Sequence, residues 1–287
     1  MIFTANYAQL LTGHDEYGLG KLVLGISFII GHVLIGFVHA LYVKFKNNIK
    51  KIMKSVLFII QYFALMATTA KASDSTSVLY YLVREPIVKS AHPPVLILLH
   101  GVGSNEQDLF SLANRLPDDF LVISARAPIQ LGANSFAWYQ VDFSTGKPVY
   151  NIEQQENSRT ILMKFIGQIK AKYPTSGKIY LGGFSQGAIM SYSVGLTRPE
   201  LVNGIAVMSG RLLEETKPLV AAKDKLQTLK IFISHGTNDQ VLNIQYARTS
   251  VDYLKKLNLN PTYKEYPAAH TVSNDMLVDL VRWLKGE

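Results

Sequence analysis

Residues 178–196 read KIYLGGFSQGAIMSYSVGL, and this stretch decides the fold. A short apolar run at 178–181 leads into GFSQG at 183–187 and then into a longer apolar segment. A G-x-S-x-G sequence between a strand and a helix is typical of a nucleophile elbow, in which a serine stands on a sharp turn above a sheet. We therefore predict that Ser185 is a nucleophile; the alternative is a plain strand-to-helix turn.

The sequence around this elbow alternates between short apolar runs and amphipathic stretches. Nearly all-apolar runs suit strands that are buried on both faces of a parallel sheet. They occur at Val95–Leu99, 120–123, 178–181, Gly204–Met208 and 230–233. Residues 78–84 predict an edge strand or a hairpin arm. Helix patterns cover 107–116, 153–173, 243–257 and 273–285. Strands that alternate with helices predict an α/β fold with a mostly parallel sheet and helices on both faces, here the single-domain α/β-hydrolase fold.

This fold requires an acid and then a histidine after the serine in chain order. Downstream of Ser185 the histidines are His235 and His270. Asp239 follows a strand in a Gly-Thr-Asn turn, and His270 follows Asp239 in a loop before the last helix. Order and loop placement therefore predict the triad Ser185, Asp239 and His270. His235 is expected to pack at its strand end.

An oxyanion hole is predicted from two backbone N–H groups. Residues 99–103, LHGVG, follow the first buried strand, and glycines there let the backbone approach a substrate oxygen. We assign the N–H groups of Val102 and Gln186. His100 is expected to hydrogen-bond within its turn and to have no catalytic part.

A long connection at 125–151 interrupts the alternation of strands and helices. Long ordered loops in compact domains are often functional. Its aromatic residues Phe136, Trp138, Tyr139 and Phe143 either form the wall of an acyl pocket or cover the edge of the sheet. The sequence favours neither alternative.

Seven stretches carry a resemblance to a known family. In order they read LLHGVGSNEQDL, ARAPIQLG, FAWY, GKPV, GFSQGA, SHGTND and YPAAH. With this order and spacing the chain resembles the small carboxylesterase/phospholipase family of α/β-hydrolases, related to acyl-protein thioesterases, from about residue 79 to residue 284. The resemblance implies the same triad and oxyanion positions and no metal or organic cofactor. It also implies action on carboxylic esters or thioesters, often short-chain esters or lysophospholipids.

Residues 1–72 form a basic, apolar leader. Residues 22–43 contain no Asp, Glu, Lys or Arg and are long enough to span a bilayer. Five lysines follow at 44–54, and 55–72 is a short apolar stretch that ends in Ala-Lys-Ala, so residues 53–72 resemble a signal peptide. Either translation begins at Met53 and residues 1–52 are an over-extended gene start, or residues 22–43 are a genuine span.

We favour the start at Met53. Both interpretations place the catalytic domain, 73–287, outside the cytoplasm, so an exported protein beginning at Ser73 is expected, with membrane association possible through the N-terminal segment. Many members of the resembling family are cytosolic. The leader therefore argues against a protein-thioesterase substrate and for an extracytoplasmic ester.

Composition excludes several function classes. The chain contains no cysteine, which excludes a thiolate nucleophile and a disulfide framework. Most of the formal charge of +8 lies in the leader, so the catalytic domain shows no sign of nucleic-acid binding. The expected partner is a small-molecule ester, and the oligomeric state is left open.

Two other functions compete with a serine carboxylesterase. The same triad cleaves amides in peptidases, although no large cap is present to select peptides. The chain could also be a non-catalytic binding protein that retains the fold, since fold alone does not establish function. An intact Ser, Asp and His in the right order argues against a binder, and a fluorophosphonate probe separates the two classes.

Overall fold

The computed structural model describes residues 32, 33, 35, 77–142, 144 and 149–287. The chain divides into two units, Met1–Thr68 and Thr69–Glu287, and the second unit contains the central sheet. The predicted span at 22–43, apart from its three described residues, and the signal-peptide-like segment at 53–72 lie outside the described residues. Among the described residues, no helix combines the length and the apolar character needed to cross a membrane.

The second unit is built on a seven-stranded sheet. Its strands are β1 (Tyr81–Arg84), β2 (Val95–Leu99), β3 (Leu121–Ala125), β8 (Ile179–Phe184), β9 (Gly204–Met208), β10 (Lys230–Gly236) and β11 (Thr262–Tyr266). Their order is β1-β3-β2-β8-β9-β10-β11. Only β1 runs antiparallel to its neighbour, so the mostly parallel sheet that the sequence predicts is confirmed.

Four short strands form two ribbons in the long connection after β3. They are β4 (Ile129–Gly132), β5 (Ser135–Ala137), β6 (Val141–Asp142) and β7 (Val149–Tyr150). β4 pairs with β5, and β6 pairs with β7, both antiparallel. The described part of the connection predicted as a loop therefore contains two antiparallel strand pairs.

The helices cover both faces of the sheet. They are α1 (Glu106–Phe110), α2 (Ile152–Lys172), α3 (Gln186–Thr197), α4 (Lys223–Leu226), α5 (Ile244–Lys256) and α6 (Asn274–Lys285). Side chains of α2, α3 and α5 share one apolar cluster with Ile97 of β2, whereas those of α1 and α6 share the other cluster with Leu96. Successive side chains of a strand point to opposite faces, so an all-apolar β2 faces helices on both sides.

Three elements differ from the predictions or make them more specific. The helix expected at 107–116 is α1 followed by a separate 3₁₀ turn at Ala113–Arg115. The strand β11 carries no apolar run, since its sequence is TYKEY and it lies at the edge of the sheet, where only Tyr266 is buried. The segment 78–84 is an edge strand paired with β3 and not a hairpin arm.

Candidate active site

Ser185 lies on the turn between β8 and α3 in a strained backbone conformation. Its φ of 53° and ψ of −117° place a non-glycine residue in a sparsely populated region. The Ser185 N–H donates to the Met208 carbonyl of the neighbouring strand at 3.0 Å. This bond helps to hold the turn, and the serine is 8% exposed at the carboxyl edge of the sheet.

The two glycines of GFSQG are required by contact distances. A Cβ on Gly183 would lie 2.2 Å from the carbonyl carbon of Gly187. A Cβ on Gly187 would lie 2.0 Å from the Leu99 carbonyl oxygen at the end of β2. Because the helix passes so close to the strands, neither position has room for a side chain.

Ser185, His270 and Asp239 form a continuous chain of hydrogen bonds. The distance between Ser185 Oγ and His270 Nε2 is 2.9 Å, and that between His270 Nδ1 and Asp239 Oδ2 is 2.7 Å. This network favours the tautomer in which Nδ1–H donates to the carboxylate and Nε2 accepts from the serine hydroxyl. The structure thus brings together the three residues that the sequence selects.

The Asp239 carboxylate is buried and fully hydrogen-bonded. Its Oδ1 accepts the N–H groups of Val241 and Leu242 at 2.9 and 2.8 Å, while Oδ2 faces His270. The Asp239 side chain is 0% exposed, whereas that of His270 is 16% exposed. The backbone bonds hold the carboxylate in place and stabilise its charge, which is the orientation that a triad acid requires.

His235 supports this carboxylate from the other side. It is fully buried, its Nε2 lies 2.6 Å from the Leu242 carbonyl, and the same nitrogen lies 3.3 Å from Asp239 Oδ2. Burial lowers the pKa of His235, and among the described residues its Nδ1 has no hydrogen-bond partner, as suits a neutral ring. The sequence analysis expected a residue packed at the strand end; its contact with Asp239 was not foreseen.

The loops that carry Asp239 and His270 are fastened to each other. They follow the paired strands β10 and β11. The Thr237 N–H donates to the Tyr266 carbonyl at 2.7 Å, and the Asn238 N–H donates to the Ala268 carbonyl at 3.0 Å. These bonds connect the two loops through their backbones, so Asp239 and His270 are positioned together.

The two predicted oxyanion N–H groups belong to the loop after β2, which holds Val102, and to the start of α3 at Gln186. Among the described residues, no acceptor takes the N–H of Val102 or of Gln186. Gln186 is the first residue of α3, where N–H groups have no partner within the helix. Val102 is 47% exposed and forms part of the wall of a cavity of about 570 Å³, together with Leu131, Gln140 and Tyr150.

The loop of Val102 is braced by His100 and Trp138. The ring of His100 bonds the Gly101 carbonyl through Nδ1 at 2.7 Å and accepts the Ala127 N–H on Nε2 at 3.0 Å. Trp138 Nε1–H donates to the His100 carbonyl at 3.0 Å. Burial also lowers the pKa of His100, so the ring is neutral. His100 has the structural place that the sequence predicts.

Phe136, Trp138 and Tyr139 lie in the core. They are 8%, 0% and 1% exposed, and they do not form part of the wall of the cavity beside Val102. All three pack in the apolar cluster on one face of the sheet, and their assignment to an acyl pocket stays a prediction. Phe143 lies outside the described residues.

The side chain of Gln186 joins this aromatic segment to the elbow. Its Oε1 accepts the Trp138 N–H at 2.8 Å, and its Nε2 donates to the Tyr139 carbonyl at 2.7 Å. Sequence reasoning assigned a role to the backbone of Gln186 and missed this one. In the described part of the chain, no group of three His, Cys, Asp or Glu side chains is arranged to hold a metal ion.

Comparison with known proteins places the chain among carboxylesterases and acyl-protein thioesterases. A family model described as phospholipase/carboxylesterase matches residues 83–286. Acyl-protein thioesterase 1 of Mycosarcoma maydis is 29% identical over 235 residues, which cover 73% of this chain and 97% of that protein. The enzyme of the same name from Yarrowia lipolytica is 26% identical over 226 residues, which cover 72% and 96%.

Solved structures show the same fold at lower identity. A carboxylesterase from Mesorhizobium loti is 19% identical with a TM-score of 0.65, covering 76% of this chain and all of that one. Zea mays acyl-protein thioesterase 2 is 21% identical with a TM-score of 0.60, covering 72% and 97%. Both confirm the α/β-hydrolase fold.

The prediction of an exported enzyme is wrong. It rested on the leader at residues 1–72, which was taken to argue against a protein-thioesterase substrate. The matched relatives are nevertheless acyl-protein thioesterases, aligned over 97% and 96% of their length. The leader therefore does not separate this chain from that branch of the family.

Proposed function

The chain belongs to the phospholipase/carboxylesterase family and is a hydrolase that acts on esters, and we propose that it works as a serine carboxylesterase through an acyl-enzyme on Ser185. The observation that carries this proposal is the hydrogen-bond chain from Ser185 Oγ to His270 and on to Asp239, with distances of 2.9 and 2.7 Å. The N–H groups of Val102 and Gln186, which no described residue accepts, support it further.

The reaction proceeds in two transfers. His270 Nε2 takes the proton of Ser185 while Oγ attacks the ester carbonyl, and the N–H groups of Val102 and Gln186 stabilise the oxyanion. His270 then protonates the departing alcohol, which leaves an acyl group on Ser185. Water attacks that ester with His270 again as base, and the acid departs as Ser185 regains its proton.

The proposed substrates are small carboxylic esters or lysophospholipid-type esters. Thioesters are a second candidate, because the matched relatives are named acyl-protein thioesterases. The same attack on a carbonyl carbon serves both, since only the leaving group differs. The strained turn at Ser185 and the buried acid are common to either reaction.

The test compares the full chain with Ser185→Ala on p-nitrophenyl esters from acetate to palmitate, and on a thioester of the preferred acyl chain. We expect the variant to lose activity by about 10⁵–10⁶-fold. Ser90→Ala is the control, because Ser90 is an exposed serine remote in sequence from the elbow. Fluorophosphonate should label the wild type and not Ser185→Ala. Equal rates for both folded proteins, with no labelling, would instead favour a non-catalytic binder.

A further inference from the structure

The wall of a second cavity contains the arginine Arg211, which has no part in the proposed reaction. Its volume is about 540 Å³, within the range of small-molecule sites. Arg211, Tyr150 and Tyr246 lie in its wall. Arg211 comes three residues after the end of β9, the strand beside the one that carries Ser185.

Arg211 is held between two tyrosine rings. Its guanidinium carbon lies 4.6 Å from the ring centre of Tyr150 and 4.9 Å from that of Tyr246. The next residue is also fixed, since the Leu212 N–H donates to Ser250 Oγ at 3.0 Å. Rings that contact the guanidinium carbon leave the N–H donors at the edge of its plane available, so the group is positioned before any ligand arrives.

No side chain of the described residues neutralises this guanidinium. Within that part of the chain Arg211 forms no ion pair or hydrogen bond, and its buried Nε has no acceptor. The nearby Glu214 is paired with Lys217 at 2.6 Å. Glu215 also lines the cavity and is exposed at its rim. A buried donor without an acceptor is costly, so a ligand that accepts from Nε of Arg211 would be favoured.

Contacts connect Arg211 to the elbow. The Tyr150 ring, which stacks on Arg211, lies 6.0 Å from the Tyr139 ring. The Tyr139 carbonyl in turn accepts Gln186 Nε2 at 2.7 Å, and Gln186 follows Ser185. Tyr150 also lies in the wall of the cavity beside Val102, so the Arg211 cavity adjoins the candidate active site at this ring.

We propose that Arg211, clamped between Tyr150 and Tyr246, binds a carboxylate carried by the ester substrate. This inference rests on the proposed function and names the class of substrate: esters with a free carboxylate on the acyl or the alcohol part. A planar fork of N–H donors matches a carboxylate in two parallel hydrogen bonds. One unpaired cation beside the acidic Glu215 suits a singly charged group better than a phosphate dianion.

The experiment compares matched esters that differ in charge alone. On the acyl side, ethyl hydrogen adipate is compared with ethyl 6-oxoheptanoate, in which a methyl ketone replaces the carboxylate. On the alcohol side, 4-acetoxybutanoate is compared with 5-acetoxy-2-pentanone. The readout is the ratio of kcat/KM for the charged ester to that for the neutral one. Because the ratio is taken within one protein sample, a partly misfolded variant does not distort it.

We expect the wild type to favour the charged ester of at least one pair, and Arg211→Gln to reduce that ratio by about 10–100-fold, as for a lost hydrogen bond to a charged group. Arg282→Gln, which removes an exposed charge elsewhere, should keep the ratio within about threefold. A ratio at or below one for both pairs, or a ratio that Arg211→Gln leaves unchanged, overturns the inference.

A binding measurement separates this inference from the proposed function. The full-length Ser185→Ala protein is titrated calorimetrically with ethyl hydrogen adipate, with and without Arg211→Gln. Binding that depends on Arg211 supports the carboxylate site even if Ser185 proves not to be the nucleophile. Loss of hydrolysis in Ser185→Ala, together with binding that is independent of Arg211, supports the esterase and refutes the carboxylate site.

Discussion

At the scale of single residues, the hydrogen bonds of Asp239 determine the orientation of its carboxylate and the tautomer of His270. Its Oδ1 is occupied by two backbone N–H groups, so Oδ2 alone faces His270. The carboxylate therefore has one available orientation. In the proposed mechanism it selects the imidazole tautomer whose Nε2 can accept the proton of Ser185.

Asp239→Asn tests this selection. The amide oxygen can still accept the N–H groups of Val241 and Leu242, so the NH₂ group is turned toward His270. His270 must then accept on Nδ1 and carry its proton on Nε2, where it cannot take the proton of Ser185. We expect kcat for a p-nitrophenyl ester to fall about 10⁴-fold with little loss of stability. Asp252→Asn, on the exposed face of α5, is the control. A loss below about tenfold would contradict the assignment.

The sequence predicts residues that have a distinctive type and order along the chain. It misses residues whose proposed role depends on contacts between distant segments. Ser185 is indicated by its glycines, and Asp239 and His270 by following it in order. His235 and Arg211 carry no such signal, since any strand end or loop may contain a histidine or an arginine. Their roles depend on distances between segments, 3.3 Å from His235 to Asp239 and 4.6 Å from Arg211 to the Tyr150 ring, which no local pattern contains.

At the level of elements, helix α3 is joined to the connection after β5 by one side chain. Gln186 satisfies the Trp138 N–H and the Tyr139 carbonyl, both in buried residues. The helix that presents one candidate oxyanion N–H thereby holds the segment that braces the other, through Trp138 and the His100 carbonyl. Hydrogen bonds therefore connect the two halves of the proposed oxyanion hole.

Gln186→Ala should lower the free energy of unfolding by about 2–4 kcal/mol, because two buried backbone groups lose their partners. Urea denaturation measures this change. Gln227→Ala is the matched control, since the Gln227 side chain bonds the Lys223 carbonyl on the surface, and it should cost under about 0.5 kcal/mol. Equal losses for the two variants would show that the buried bonds contribute no more than an exposed one.

Two glycines in different helices have opposite surroundings, which gives a second prediction about the helices. A Cβ on Gly187 in α3 would lie 2.0 Å from the Leu99 carbonyl oxygen, whereas one on Gly167 in α2 would meet nothing within 4 Å. Gly187→Ala should therefore lower the free energy of unfolding by about 3 kcal/mol or more, since the helix must move off the sheet. Gly167→Ala should raise it by about 0.5–1 kcal/mol through helix propensity. Thermal unfolding of both variants measures whether each change in the free energy of unfolding is a loss or a gain. A destabilised Gly167→Ala would contradict the open environment assigned to Gly167.

For the whole molecule, the sheet was predictable where burial on both faces left an all-apolar sequence. Val95–Leu99 and Gly204–Met208 coincide with the observed strands residue for residue. β11 was not predictable because an edge strand with four exposed or half-exposed residues has a polar sequence. The exported location was inferred from residues 1–72, of which the structure describes only three, and nothing in the packing of residues 77–287 constrained that inference.

The fold as a whole buries two neutral histidines, and this makes its stability depend on pH. Burial is the main cause that lowers the pKa of His100 and of His235; at His235 the Leu242 carbonyl, Asp239 and Glu265 oppose it, and His270 adds to it. In the unfolded chain both rings take up protons near pH 6.5. Between that pH and their lower folded values, the unfolded state therefore binds more protons, and the free energy of unfolding falls as the pH falls.

We expect each histidine to contribute a slope of at most about 1.4 kcal/mol per pH unit below pH 6.5, and none above about pH 7.5. Arg248 lowers the pKa of Glu265 from its ordinary value of 4.5 to about 2. Glu265 therefore makes the free energy of unfolding depend on pH below about 4.5, outside the window from pH 5 to 6.5. Urea denaturation of the wild type and His235→Asn across that window separates the contributions. The variant starts from a lower stability because it disturbs the bond to Leu242, but its slope should be smaller by the share of one histidine. Parallel slopes would mean that His235 takes up its proton in the folded protein as readily as in the unfolded chain, and that burial does not keep the ring beside Asp239 neutral.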